Sequence, residues 1–263
     1  MQDFTFIKVT DVAATRWLEY YRAPLNAFTR AMVEEMRDAL RAALATPSVR
    51  VVVIASAVER YFSAGADLKE FHGMDKAGMA SWVTLCHDIA SLLRNSPKPL
   101  LAAIHGTAVG GGLEMTLHCD VRFAADDARF GQPEVQIGFI PPIATTQALA
   151  RLIGRPKTIR YLYSGAMIGA EEALEWGLVD ELVASEDLRT TVQTYADELA
   201  GKSATALTAI RRSVTLGGGM SFQEGMQLEA ELATDLADTH DFKEGIDAFL
   251  NKRAPRWQQA DDL

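Results

Sequence analysis

Three consecutive glycines, Gly110-Gly111-Gly112, stand between the apolar segment 100–105 and a helical pattern over 111–118. A chain that passes from strand to helix through glycine leaves the first helical N–H groups without intrahelical acceptors. It also places the positive end of the helix dipole there. Glycine lets a ligand oxygen approach that backbone closely. Glu114 follows three residues after Gly111, so it shares a face with the open helix end. A second turn of small residues, Phe62-Ser63-Ala64-Gly65-Ala66-Asp67-Leu68, comes after a buried strand predicted over 49–55. Backbone donors at both turns suit a negatively charged oxygen. With Glu114, and Glu134 twenty residues later, the set suits proton transfer beside a carbonyl. Each piece also has a plain structural reading. The glycines make a tight connection whose glutamate complements the dipole, 62–68 makes a surface turn that Asp67 holds by bonding backbone N–H groups, and Glu134 makes a solvated loop acid.

The rest of the pattern is α/β. Residues 4–21 read as one or two strands. Thr29 caps a helix to about Ala45, with Met32, Met36, Leu40 and Ala43 on one face. Strand 49–55, loop 60–68, helix 77–94, strand 100–105, helix 111–118 and short extended pieces at 120–125 and 129–131 follow. Beyond residue 142 the pattern is mostly helical, with an apolar segment at 178–183. Alternating strands and helices followed by a helical tail predict an α/β core with an α-helical C-terminal part. His118 and Cys119 are read as helix-end core residues, Trp82 and Trp176 as core, and His105 as a packed strand-end histidine.

Several functions are excluded or disfavoured by composition. The 263 residues are 48% hydrophobic, enough for a sizeable core, and carry a net charge of −9 without a basic cluster. Nucleic acid is therefore not an expected partner. The longest apolar run, 51–58, is broken by Ser56 and too short for a membrane span. Met1-Gln2-Asp3 lacks a signal-peptide start. The two cysteines, Cys86 and Cys119, have neither metal nor redox-motif spacing, so free thiols, no metal and a cytoplasmic location are expected. No Walker loop, dinucleotide fingerprint or nucleophile elbow is present.

Taken together, Pro24-Leu25-Asn26-Ala27, Phe62 to Glu70, Lys98-Pro99, Gly106 to Asp120, Phe130 to Glu134, Gly177-Leu178-Val179, and Glu244 to Leu250 with Lys252-Arg253 resemble the enoyl-CoA hydratase/isomerase (crotonase) superfamily. The resemblance runs over nearly the whole chain. It implies a crotonase-like spiral of ββα turns over 1–200 and a C-terminal α-helical trimerisation region over 201–263, the two acting as one functional unit. It further implies a trimer or dimer of trimers, and an acyl-CoA substrate with no cofactor beyond the coenzyme A of that substrate. The N–H groups of Ala66 and Gly111 would form the oxyanion hole, and Glu114 and Glu134 would be the catalytic acids. Substrate or CoA contacts fall on Asn26, Ala64, Asp67, Leu68, Pro141, Pro142 and Lys252, with Ala64 along the CoA channel. Lys252 matches a family lysine near the CoA phosphates of a neighbouring subunit, and a solvated surface lysine explains it equally.

The chain departs from the family pattern at Gly138-Phe139-Ile140-Pro141-Pro142-Ile143. Pro142 replaces a glycine whose N–H helps hold the water in typical hydratases, and proline has no N–H. This Pro-Pro form resembles a subset that hydrates cyclic dienoyl-CoA esters. An aromatic that hydratases often carry near Ala233 is also missing. Hydration of a 2-enoyl-CoA is the first expectation. Enoyl-CoA isomerisation, for which one carboxylate suffices, and non-catalytic acyl-CoA binding are the alternatives.

Overall fold

A computed structural model describes residues 4–258. Its elements run β1 (Ile7–Val12), β2 (Thr15–Tyr20), α1 (Arg30–Ala45), β3 (Val51–Ser56), β4 (Tyr61–Ser63), α2 (Lys76–Arg94), β5 (Leu100–Ile104), β6 (Thr107–Val109) and α3 (Gly111–Thr116). They continue β7 (Val121–Ala125), β8 (Arg129–Gly131), α4 (Thr145–Leu152), α5 (Arg155–Ser164), β9 (Met167–Gly169), α6 (Ala170–Trp176), β10 (Glu181–Val183), α7 (Leu188–Ala200), α8 (Ala204–Gly217), α9 (Phe222–Leu236) and α10 (His240–Leu250). The end of the expected helical region, 259–263, lies outside the described residues. No described helix is long and apolar enough to cross a membrane.

The strands form a six-stranded sheet in the order β1-β2-β3-β5-β7-β10 and a four-stranded sheet in the order β4-β6-β8-β9. Within the large sheet only β1 and β2 are antiparallel. The chain alternates between the sheets: β3 leads to β4, β5 to β6 and β7 to β8, each pair followed by a helix. This is the expected ββα spiral. Every residue of β3 and β5 is buried, so these strands read as continuous apolar runs, as strands covered on both faces must. Thr29 caps α1 by accepting from Met32 N at 3.3 Å, and Met32, Met36, Leu40 and Ala43 are all buried. The three-residue strands β4 and β6 fall where a loop and a glycine turn were expected. Strands this short carry no period, and parallel pairing of β4 with β6 and of β6 with β8 defines them. The helix at Gly111 stops at Thr116 rather than 118.

The ends of β4 and β6 bring the two small-residue turns into contact. Gly65 has φ +83°, and a Cβ on it would lie 3.2 Å from the Val109 carbonyl oxygen. A Cβ on Gly112 would run into Ser63 Cβ. Ser63 is itself pinned, donating to Asn26 O at 2.8 Å and accepting from Gly65 N at 3.0 Å. Asn26 is fully buried, and its side-chain nitrogen donates to Ser56 Oγ at 2.8 Å and Phe62 O at 3.1 Å. Its side-chain oxygen accepts from Arg22 N at 2.7 Å. Asn26 is thus a structural peg between the end of β3 and β4, not the substrate contact expected of it, because every polar atom of its amide is engaged inside the protein.

Gly112→Ala is expected to destabilise the protein by about 1–3 kcal/mol, the usual range for overpacking, because backbone and a fully buried Ser63 close the space. Thermal unfolding checks this; an unchanged midpoint would show that the two turns are not locked at this contact.

Candidate active site

A cavity of about 240 Å³ opens between the two turns. Ala64, Ala66, Leu68, Gly111, Glu114, Glu134 and Pro142 all border it, so most of the site residues expected from the sequence converge. At Ala66 the flanking groups are occupied: Phe28 N donates to Gly65 O at 2.7 Å, and Asp67 N donates to Phe28 O at 2.8 Å. This alternation turns the Ala66 N–H away from the Phe28 strand, and it has no acceptor among the described residues. Gly111 N–H is the first of α3 and has no intrahelical acceptor either. The turn before it is set by Gly110 at φ +51°, whose own N–H goes to Gly131 O at 3.0 Å.

Glu114 is fully buried. Its Oε2 accepts from Thr145 Oγ1 at 2.6 Å and from the Ile143 N–H at 2.7 Å, whereas Oε1 has no partner. Burial, reinforced by the Glu134 charge and opposed by those two hydrogen bonds, pushes its carboxyl up to about 8. Burial also pushes Glu134 up to about 7. Glu134 opens a 3-10 turn, Glu134–Ile137, and its Oε1 lies 2.6 Å from where a Cβ on Gly110 would be. Only glycine leaves that space to the carboxyl. With its amide nitrogen facing Glu134, Gln132 donates to the two carboxylate oxygens at 3.0 and 3.3 Å. No salt bridge neutralises either glutamate among the described residues. Two uncompensated acids bordering one low-dielectric cavity resist double ionisation.

The remaining expected contacts lie elsewhere. Asp67 does not border the cavity. It holds its own turn through Lys69 N at 3.2 Å and pairs with Arg22 at 3.1 Å. Pro141 faces a neighbouring cavity of about 560 Å³ on the other side of the 139–142 segment. Lys252 sits exposed beyond α10, outside this chain's cavity. Trp82 is buried core, as expected, but it also forms cavity wall with Phe71 (ring centroids 5.1 Å apart) and Phe139 (6.1 Å from Phe71). Sequence reasoning missed Gln132, Thr145 and the Ile143 N–H. Gln132 has the signal of adjacency to Glu134. Thr145 and Ile143 have none, since their relation to Glu114 exists only across the fold.

Open backbone donors beside one buried and one half-buried acid define a site for acid–base chemistry on a substrate that develops an oxyanion. The profile of the enoyl-CoA hydratase/isomerase family matches residues 20–260. A probable enoyl-CoA hydratase of Bacillus subtilis (strain 168) is 34% identical over 92% of this chain and 94% of its own length. The 2,3-dehydroadipyl-CoA hydratase of Escherichia coli (strain K12) is 36% identical over 89% and 90%. The crystal structure of an enoyl-CoA hydratase from Bacillus anthracis superposes with a TM-score of 0.91 at 32% identity, covering 96% of this chain and 99% of that one. The chain belongs to the enoyl-CoA hydratase/isomerase family.

The raised Glu114 carboxyl makes stability depend on pH with a defined sign. The folded protein holds a proton that the unfolded chain releases above its ordinary value of 4.5, so stability falls as pH rises from about 4.5 to about 8 and then levels off. Glutamine has no proton to lose. The unfolding midpoint of Glu114→Gln, relative to the unmodified protein, should therefore increase between pH 5 and pH 8; a constant difference would mean that Glu114 is not protonated in the fold.

Proposed function

We propose that this protein adds water across the 2,3 double bond of an enoyl-CoA thioester. Conjugation to the thioester carbonyl makes the β-carbon electrophilic. Glu114 takes a proton from the attacking water, and Glu134 delivers one to the α-carbon. The enolate oxygen is received by Ala66 N–H and Gly111 N–H. The observation that carries this reading is the pairing of the buried Glu114 carboxyl and the half-buried Glu134 carboxyl with two unengaged N–H groups around one cavity. The two donors on Glu114 Oε2 support its charged form during attack, while Oε1 remains free for the water. Burial works against them and raises both carboxyls; the reaction needs Glu114 charged and Glu134 protonated when substrate and water are bound. Ile143 N–H is spent on Glu114, and Pro142 has no N–H, so the water relies on the carboxylates themselves.

A second reading differs only in the acyl group. Phe71, Trp82 and Phe139, packed edge-on and tilted, line the cavity together with Pro142, and this aromatic lining supports a cyclic dienoyl-CoA as the alternative to a linear chain. Isomerisation of a 3-enoyl-CoA needs one carboxylate, and the presence of two favours hydration. Incubation with crotonyl-CoA, a 3-enoyl-CoA and a cyclic dienoyl-CoA, following the conjugated thioester absorbance, separates these reactions.

In that assay Glu114→Gln and Glu134→Gln should each lower turnover by roughly 10²–10⁴-fold. The unmodified enzyme should show a bell-shaped pH profile with its maximum between the raised values of about 7 and about 8. Below the bell no base remains for the water, and above it no acid remains for the α-carbon. Near-normal hydration by either variant refutes the assignment.

We further propose assembly as a trimer or dimer of trimers through the C-terminal helices. α9 buries no residue within the chain, and Val214, Phe222 and Phe249 are 71%, 85% and 84% exposed. Apolar surface of that kind marks an association face. Sedimentation velocity should give a mass three or six times the 28.7 kDa of one chain; a monomer rejects it.

A further inference from the structure

The segment that touches Glu114 has few backbone hydrogen bonds, although Pro141 and Ile143 are buried. Between Phe139 and Ala144, the backbone hydrogen bonds among the described residues are both made by Ile143. Its N–H donates to Glu114 Oε2 at 2.7 Å, and its carbonyl oxygen accepts from His118 Nε2 at 2.7 Å. Pro141 and Pro142 have no N–H to offer, and Ala144 turns the chain at φ +52° into α4. The Ile143 side chain lies across Gly111, its Cδ1 3.6 Å from where a Cβ would be. Ile143 therefore adjoins both the acid and the oxyanion glycine.

We infer that His118 is a positioning residue: its imidazole clamps Ile143 so that the Ile143 N–H stays on Glu114. The inference rests on the hydration reading for its kinetic consequences, not for its geometry. His118 follows Glu114 by four residues, one turn along and just past the end of α3. The short helix α3 thus supplies the carboxyl, and the turn that ends it supplies the tether of the loop that supports it. The acceptor is a carbonyl oxygen, so Nε2 must carry the proton. Burial, with Arg94 and Arg122 nearby, keeps the ring neutral by holding its ionisation down to about 4. Nδ1 has no partner. A buried ring with one nitrogen unsatisfied is less favourable than an apolar side chain of similar size, and the single bond to Ile143 is what the polar ring provides here.

The charged and titratable groups around the two ends of this relay are few. Glu114 is faced by Glu134 and by Cys86 of α2. Arg94 of α2 and Arg122 of β7 act on His118, and Arg151 of α4, Tyr195 of α7, Arg211 of α8 and the adjacent Cys119 and Asp120 border the same groove. Cys86 and Cys119 are pushed up by burial, Cys119 to about 12, so neither ionises in the working range.

The test compares His118→Leu with His118→Gln. Glutamine presents an N–H where imidazole Nε2 stands, whereas leucine fills the space without a donor. His118→Leu should lower kcat about 10–100-fold, the scale of an ångström of misplacement, with KM changed by less than roughly threefold. His118→Gln should recover most of kcat. A second readout needs no turnover: ¹³C-glutamate NMR titration of the ligand-free protein should show the Glu114 carboxyl titrating at higher pH in His118→Leu than in the unmodified protein or His118→Gln, because the hydrogen bond that favours its charged form is loosened. A protein that hydrates none of the thioesters but shows this shift discards the hydration reading and keeps the clamp. If leucine and glutamine variants, each folded by thermal melting, titrate alike, His118 only fills space and the inference is overturned.

Discussion

The Glu114 carboxyl is carried into the protein interior with no cation beside it. An isolated charge in such a place is strongly disfavoured, and the group responds by holding its proton. Much of the surrounding structure regulates that one proton. Thr145 Oγ1 and the Ile143 N–H favour its loss, burial and Glu134 favour its retention, and Oε1 is left with no protein partner. A carboxyl balanced in this way can change protonation near neutral pH, which is the property acid–base catalysis needs.

The balance depends on contacts between backbones rather than on side-chain packing alone. Gly65 and Gly112 let the β4 and β6 turns touch, and Gly110 leaves room for the Glu134 carboxyl. Behind them, Asn26 and Ser63 tie the first turn to the end of β3. The spiral topology makes this possible. Parallel pairing of β4, β6 and β8 places three successive strand ends side by side, so groups from residues near 66, 111 and 134 reach one cavity. The proline-rich segment lines the same cavity through Pro142 and Ile143, tied by the two backbone hydrogen bonds of Ile143 and by its burial.

Much of this was legible in the chain itself. Strand β3 and helix α1 followed from composition and period, with Thr29 as the cap. The two glycine turns announced open N–H groups, and Glu114 stood one helical turn from Gly111. Resemblance to the family selected Glu134 from among the loop acids. Asn26 shows the limit of that transfer: the shared motif implies a ligand contact, and the structure employs the residue as an internal peg. Trp82 shows the converse, a core residue that also walls the cavity. The short strands β4, β6 and β9 lie in or beside turns and helices and are defined only by their partner strands, whereas β8, equally short, was expected as an extended piece.

The amino-acid sequence by itself determined the α/β alternation, the places where glycine exposes backbone donors and the position of Glu114 one turn from Gly111, because each is set by local period, by glycine, or by a residue type at a given spot. The tertiary structure alone decided that Glu114 and Glu134 face one cavity, that Ile143 and Thr145 bind the same carboxylate oxygen, and that His118 reaches back to Ile143. These relations join residues 20 to 31 positions apart. Desolvation and hydrogen bonding at such range depend on how the spiral closes, and no local pattern encodes that.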